Sequence, residues 1–260
     1  MNIVEQMLKN APNPLLHIAD VSGSALFQGD CLEVMKYIPD ASIDMILCDL
    51  PYGTTACKWD TIIPFDKLWE QYKRIIKPNG VITLFGREPF SSKVRLSNES
   101  NYRYDWIWEK SKATNFLFAK QMPLIAHEDI MIFYKKLPTY NPQKTKGKPY
   151  NKGVEKRNEI EAVGKIGNGN FIINESGDRN PRSVIYFRTA ESEGKLHPTQ
   201  KPLELMKYLI KTYSNENDLV LDNCMGSGTT CLASKELNRK FIGIEKEPKY
   251  YELAVGRVFG

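Results

Sequence analysis

Four short apolar runs each end on a carboxylate, and this arrangement constrains the fold of the 260-residue chain more than any other feature. Ala25-Leu26-Phe27 leads to Asp30, Ile43 to Leu47 leads to Asp49, Leu219-Val220-Leu221 leads to Asp222, and Phe241 to Ile244 leads to Glu245. Short runs rich in branched and aromatic residues, bounded by turn formers, read as buried strands. Val81–Phe85, Tyr104–Trp108 and Ile130–Tyr134 are further strand candidates. Helical spacing appears between them. Leu32, Met35 and Ile38 share one face, as do Leu68, Trp69, Tyr72, Ile75 and Ile76, and Leu203, Met206, Leu209 and Ile210. Helices are also predicted over 228–237 and 250–258. Such alternation predicts an α/β fold, a mostly parallel sheet with helices on both faces. Ligands of that sheet sit at the carboxyl ends of the strands, where all four carboxylates fall.

The pattern breaks from Leu137 to about Lys195, where Gly, Asn, Lys and Pro dominate. A structureless loop of that length is improbable in a compact domain. Residues 138–195 therefore read as an inserted module between a catalytic half, 25–137, and a second half, 196–260, with 1–24 as a lead-in. Net charge is a mild +5, but Lys144, Lys146, Lys148, Lys152 and Arg157 crowd the insertion. A solvated loop explains that run as readily as a nucleic-acid contact does. No apolar run approaches the roughly 18–20 residues of a membrane span. The N-terminus does not read as a secretory signal. Five cysteines form no CxxC pair and only three histidines are present, so neither a disulfide framework nor a zinc site is expected. A reducing cytoplasm is the expected compartment.

Two segments carry chemistry. Asp49-Leu50-Pro51-Tyr52-Gly53 follows a buried strand and offers a carboxylate, a carbonyl held by proline and an aromatic ring. That set can grip the exocyclic amine of a flat heterocycle and stack on its face. Alone, it is more often a plain strand-end turn. The second segment, Asp222-Asn223-Cys224-Met225-Gly226-Ser227-Gly228-Thr229-Thr230, places a glycine loop between a strand and a helix. Glycine permits close backbone approach to a ligand, and helix amides favour an anionic group. A lone GxG suits any nucleotide binder. The dinucleotide pattern needs a third glycine where Cys231 stands, which counts against a nicotinamide dehydrogenase. Glu245, at the next strand end, can accept two ribose hydroxyls. Taken bare, Asp30 reads as a helix N-cap and His197 as a loop or cap residue.

Together these segments resemble the amino-methyltransferases of DNA. The order of the motifs, catalytic turn first and cofactor loop second with an insertion between, is similar to the β group of that family. The resemblance covers roughly 25–136 and 196–258, and Trp106 to Lys110 and His127 to Ile130 look like further landmarks. It implies a Rossmann-like sheet, S-adenosyl-L-methionine as cofactor, and methyl transfer to adenine N6 in double-stranded DNA. Cytosine N4 is the alternative, and a DNA-binding relic without catalysis a further one. It makes Asp49, Leu50, Pro51 and Tyr52 catalytic. It assigns Asp30, Cys31, His197, Thr199, Gln200, Lys201, Pro202, Asp222, Cys224, Gly226, Ser227, Gly228, Thr229, Thr230 and Glu245 to the cofactor. The insertion becomes a target-recognition region whose basic residues contact phosphates. The resemblance also suggests a homodimer and admits a cognate restriction endonuclease as partner. Leu50 and Asn223 stand where proline is common in the family, and Cys224 where phenylalanine is.

Overall fold

The structure, a computed structural model, describes residues 2–11, 15–20, 22–54, 57, 60–154, 171–194 and 199–260; of these, 152–154, 171–172 and 192 are described by backbone alone. Helix α1 (Ile3–Asn10) opens the chain. It is fixed by a capping box: the Asn2 side chain accepts from the Glu5 amide at 2.9 Å, and Glu5 accepts from the Asn2 amide at 3.0 Å. The sequence reading had only a lead-in here. Then follow β1 (Leu16–Ala19), β2 (Ala25–Gln28), α2 (Cys31–Met35) and β3 (Ile43–Cys48). Helix α3 (Phe65–Ile75) comes next, then β4 (Ile76–Gly86), α4 (Phe90–Ser97), β5 (Tyr102–Thr114) and β6 (Ile125–Phe133). Strand β4 pairs with β3 at Ile76, bulges across the Lys77-Pro78-Asn79-Gly80 turn, and resumes regular pairing at Val81.

Residues Pro142–Arg182 form a separate compact unit. Its strands pair antiparallel in two short ribbons: β7 (Thr145–Lys146) with β10 (Asp178–Arg179), and β8 (Tyr150–Val154) with β9 (Phe171–Asn174). Arg179 ties this unit together. It donates to the Lys148 carbonyl at 2.5 Å and lies 4.8 Å from the Tyr150 ring. Strand β11 (Val184–Phe187) belongs to the main sheet, beside β5. The chain closes with α5 (Leu203–Tyr213), β12 (Leu219–Asp222), α6 (Thr229–Glu236), β13 (Lys240–Glu245) and α7 (Pro248–Phe259).

The main sheet runs β1-β2-β13-β12-β3-β4-β6-β5-β11. Pairing is parallel from β2 through β4 and between β11 and β5; β1 and β6 run antiparallel to their neighbours. The period of two along each strand sorts side chains between two faces. Ile46, Cys48 and Leu221 enter a core shared with α1, α2, α3 and α4; Met45, Leu47 and Val220 enter another built largely on α5. Burying each such side chain contributes about 1.5–3 kcal/mol. On β5, Trp106 donates its indole N–H to the Tyr213 hydroxyl at 2.6 Å, fastening α5 to the sheet. Among the described residues no helix is long and apolar enough to cross a membrane.

Gly243 packs closely against the glycine loop and α6. A Cβ there would stand 2.4 Å from Met225 Sδ and 2.6 Å from Cys231 Sγ. Gly243→Ala is expected to cost about 1–3 kcal/mol through overpacking. Urea unfolding with a lowered midpoint and an unchanged slope would register it.

Candidate active site

The strand order brings the carboxyl ends of β2, β13, β12 and β3 side by side, and with them Asp30, Glu245, Asp222 and Asp49. They open on a cavity of about 680 Å³. Asp49, Leu50, Pro51 and Tyr52 line it, as do Asp30, Cys31, Thr199, Gln200, Lys201, Asp222, Cys224, Gly226, Ser227, Thr229, Thr230 and Glu245. Two residues of the sequence assignment are absent from its lining: Pro202 and Gly228 cap the N-termini of α5 and α6. His197 lies outside the described residues.

The glycine loop is held from within and below. Gly226 has φ 51° and Gly228 φ 75°, left-handed values that suit glycine. Asp222 is buried and accepts from the Thr230 hydroxyl at 2.5 Å and the Cys224 amide at 3.1 Å. Burial pushes its carboxyl up to about 7, against these two bonds. Glu245 accepts from the amides of Gly226 at 2.9 Å and Glu247 at 2.8 Å. Asp30 caps α2 through the Leu32 amide at 3.0 Å and also pairs with Lys246 at 3.2 Å. Asn223, where the related motif has proline, accepts from the buried Tyr72 hydroxyl at 2.5 Å. That bond replaces ring rigidity with a tether to α3. Cys224 stands beside the thiols of Cys31 and Cys48; burial pushes Cys48 up to about 12, so it is an inert core thiol.

Asp49 sits at the end of a row of alternating charges. Its Oδ1 accepts from the Tyr52 hydroxyl at 2.7 Å, and its Oδ2 receives the Lys201 ammonium at 2.5 Å. Lys201 also reaches Glu128 at 3.2 Å, and Glu128 in turn pairs with Lys110. Burial raises the Asp49 carboxyl, opposed chiefly by Lys201. Burial acts on Glu128 the same way, but Lys201 and Lys110 outweigh it and hold that carboxyl below its usual range. Burial alone would release the Lys201 proton, yet its two carboxylates keep the ammonium above its ordinary value. The resemblance assigns Lys201 to the cofactor; it lines the shared cavity, and its ammonium pairs there with Asp49 and Glu128.

In the sequence Lys110 and Glu128 stand only inside the landmark segments Trp106 to Lys110 and His127 to Ile130. A signal was present. Lys110 shares a β5 face with the buried Trp106 and Trp108, and Glu128 shares a β6 face with Ile130 and Ile132. A charge in register with an apolar strand face must find a partner, and Glu128 lies directly opposite Trp108. Of the basic residues in the insertion, Lys144, Lys146 and Lys148 are exposed on the second unit, and Lys146 pairs with Asp178 at 2.6 Å. Lys152 is described by backbone alone, and Arg157 lies outside the described residues.

The fold and cleft define a Rossmann-like α/β enzyme in which an Asp-x-Pro-Tyr turn and a glycine loop share one pocket. A family model described as DNA methylase matches residues 43–256, and the chain belongs to that family, the N6/N4 amino-methyltransferases of DNA. It is 30% identical over 254 residues to the type II methyltransferase M.HpaI of Haemophilus parainfluenzae, covering 90% of this chain and 73% of that protein. It is 27% identical to M.BglII of Bacillus subtilis, covering 88% and 67%. Among solved structures, the M1.HpyAVI–SAM complex superposes with a TM-score of 0.62 at 26% identity, covering 90% of this chain and 98% of that one. The cytosine-N4-specific PvuII methyltransferase shares the fold, with a TM-score of 0.65 at 17% identity, covering 90% and 85%.

The buried Asp222 carboxyl gives the protein a pH signature. Its folded value, about 7, exceeds the ordinary 3.8. Its contribution to stability is therefore full below about pH 4 and is lost as pH rises towards 7. Asp222→Asn is expected to flatten the fall in melting temperature across that window, measured by differential scanning fluorimetry on ligand-free protein. An unaltered slope would mean that Asp222 titrates as an ordinary carboxylate.

Proposed function

We propose that the protein transfers a methyl group from S-adenosyl-L-methionine to the N6 amine of an adenine flipped out of double-stranded DNA. The observation that carries this reading is the meeting of the Asp49–Tyr52 turn and the Gly226 loop on one cavity. The cavity also fits the cofactor chemically. Carboxylates outnumber lysine and arginine side chains along its wall, which suits a sulfonium cation better than a polyphosphate. Glu245 would hold the ribose hydroxyls, since a carboxylate has about four acceptor sites and its two backbone bonds leave capacity. Asp30 would face the adenine ring, and Asp222, the Gly226 loop, Thr199 and Gln200 the methionine end.

Bound there, S-adenosyl-L-methionine supplies an electrophilic methyl group. The remaining work falls to the chain. An exocyclic amine is a poor nucleophile because its lone pair is delocalised into the ring. The Asp49 carboxylate and the Leu50 carbonyl would accept its two N–H bonds, localising that pair and aiming it. Tyr52 and Lys201 fix the carboxylate from opposite oxygens, and Lys201 opposes the upward push that burial gives its pKa. Positioning and preorganised electrostatics of this kind are the main levers for such a displacement. The Tyr52 ring, packed on Phe90 at 4.9 Å, is available to stack on the base, worth roughly 1–3 kcal/mol. Asp49 rather than serine at the head of the turn favours adenine over cytosine. Lys144, Lys146, Lys148, Lys152 and Arg157 would contact phosphates and give affinity that depends on salt more than on sequence.

Nucleoside mass spectrometry after incubating unmethylated plasmid with protein and cofactor tests the reaction. N6-methyladenine is expected; N4-methylcytosine would keep the mechanism and change the base, and no methylated nucleoside with cofactor bound would overturn the reading. Asp49→Asn is expected to lower kcat by at least about a hundredfold, the scale of a lost electrostatic contact. Cofactor affinity by calorimetry should stay within about twofold. Lys144→Ala combined with Lys146→Ala is expected to reduce the slope of log affinity against log salt by about 2. An unchanged slope in a fluorescence-anisotropy titration would remove these lysines from the DNA surface.

A further inference from the structure

Exposed large apolar side chains are scattered singly over most of the described surface, but Phe116, Leu117, Phe118, Met122 and Leu124 stand together. They occupy the tip of the β5–β6 hairpin, between the last strand pair, Thr114 and Ile125. Phe116 is 72% exposed and Leu117 81%. Isolated exposed leucines need no explanation, whereas a clustered patch marks a binding surface.

The tip is built rather than frayed. Asn115 takes a left-handed turn at φ 71°, and its side-chain amide donates to Met122 Sδ at 3.3 Å. The amides of Phe118 and Ala119 bond the carbonyls of Asn115 and Phe116, and the Gln121 and Met122 amides both bond Phe118 O. The same hairpin, up to the start of its tip, forms part of the cavity wall, through Lys112, Thr114, Asn115 and Phe116. From Ser111 to His127 the sequence holds Lys112 and Lys120 and no carboxylate.

We infer that this hairpin tip is a wedge that enters the base stack of duplex DNA and fills the gap left by the base delivered to the cavity. The inference rests on the proposed DNA methyltransferase reading and goes beyond it. Removing a base from the stack costs a few kcal/mol in lost stacking and pairing. Apolar side chains inserted at a base step are a recognised way to hold a duplex open. Three features select DNA over a second copy of the chain as the occupant. The tip adjoins the cavity the base must reach. Between Ser111 and His127 it carries Lys112 and Lys120 and no acid. Its apolar side chains are of the sizes that fit between base pairs.

The test uses full-length Phe116→Ser/Leu117→Ser protein on an oligonucleotide duplex carrying the site located by sequencing the wild-type product. On the intact duplex kcat/KM is expected to fall at least tenfold. On a duplex with an abasic position opposite the target base, which no longer needs prising apart, the variant is expected to come within threefold of wild type. Equal losses on both duplexes, or no loss on either, would overturn the wedge. So would a shift from dimer to monomer in sedimentation velocity, which would make a second copy the occupant. An unchanged melting temperature separates these results from misfolding. Wild-type turnover on the intact duplex checks the underlying reading independently.

Discussion

Strands β3 and β12 lie side by side in the sheet, and the whole cleft depends on that parallel pairing. Val220 sits opposite Met45 and Leu221 opposite Ile46. The amide of Leu219 bonds the Asp44 carboxylate, 175 positions earlier in the chain, and Asp44 also holds Lys77. This seam is what sets Asp49 next to Asp222. Neither the Asp49–Tyr52 turn nor the glycine loop forms a pocket by itself; each supplies one wall. Parallel strands place their carboxyl ends at the same edge, so one register decision aligns every carboxylate of the site.

Across that seam the chain has to stabilise buried charge. Asp49, Lys201, Glu128 and Lys110 come from four different segments and alternate in sign. A lone buried carboxylate would neutralise itself by taking up a proton. Here each charge has a partner of opposite sign, and the ammonium of Lys201 is further seated 5.0 Å from the Phe85 ring. The row holds the Asp49 carboxyl between Tyr52 and Lys201, a fixed position that a flexible solvated aspartate does not have. It also ties the position of Asp49 to residues on three other segments.

Much of this was legible in the sequence because local rules carried it. The strand ends, the helix faces, the α/β class and the two motifs follow from period and turn chemistry. Residues close in sequence to those motifs, such as Tyr52, Asp222 and Glu245, fall where the pattern puts them. Longer-range effects were not legible. Nothing local says that Lys201 spends its charge on Asp49, because that contact spans 152 positions and needs the fold to exist. The capping box at Asn2 and Glu5 is a local pattern as well, set before a helix of 8 residues, too short to show helical periodicity clearly. Strand β5 extends well past Trp108 because its pairing with β6, rather than its own composition, sustains it. The hairpin tip was invisible for a different reason: an apolar run in sequence does not declare itself exposed.

The seam between β3 and β12 has a consequence for synthesis. During translation β3, β4, α3 and β6 emerge long before β12 exists. Until Leu219 to Asp222 leave the ribosome, one edge of β3 stays unpaired, a hydrophobic strand edge of the kind that recruits wrong partners. Contacts this distant in sequence also slow folding. A nascent or prematurely released chain therefore lacks the glycine loop and the wall opposite Asp49. Such partial products expose the kind of unpaired strand edge that chaperones shield.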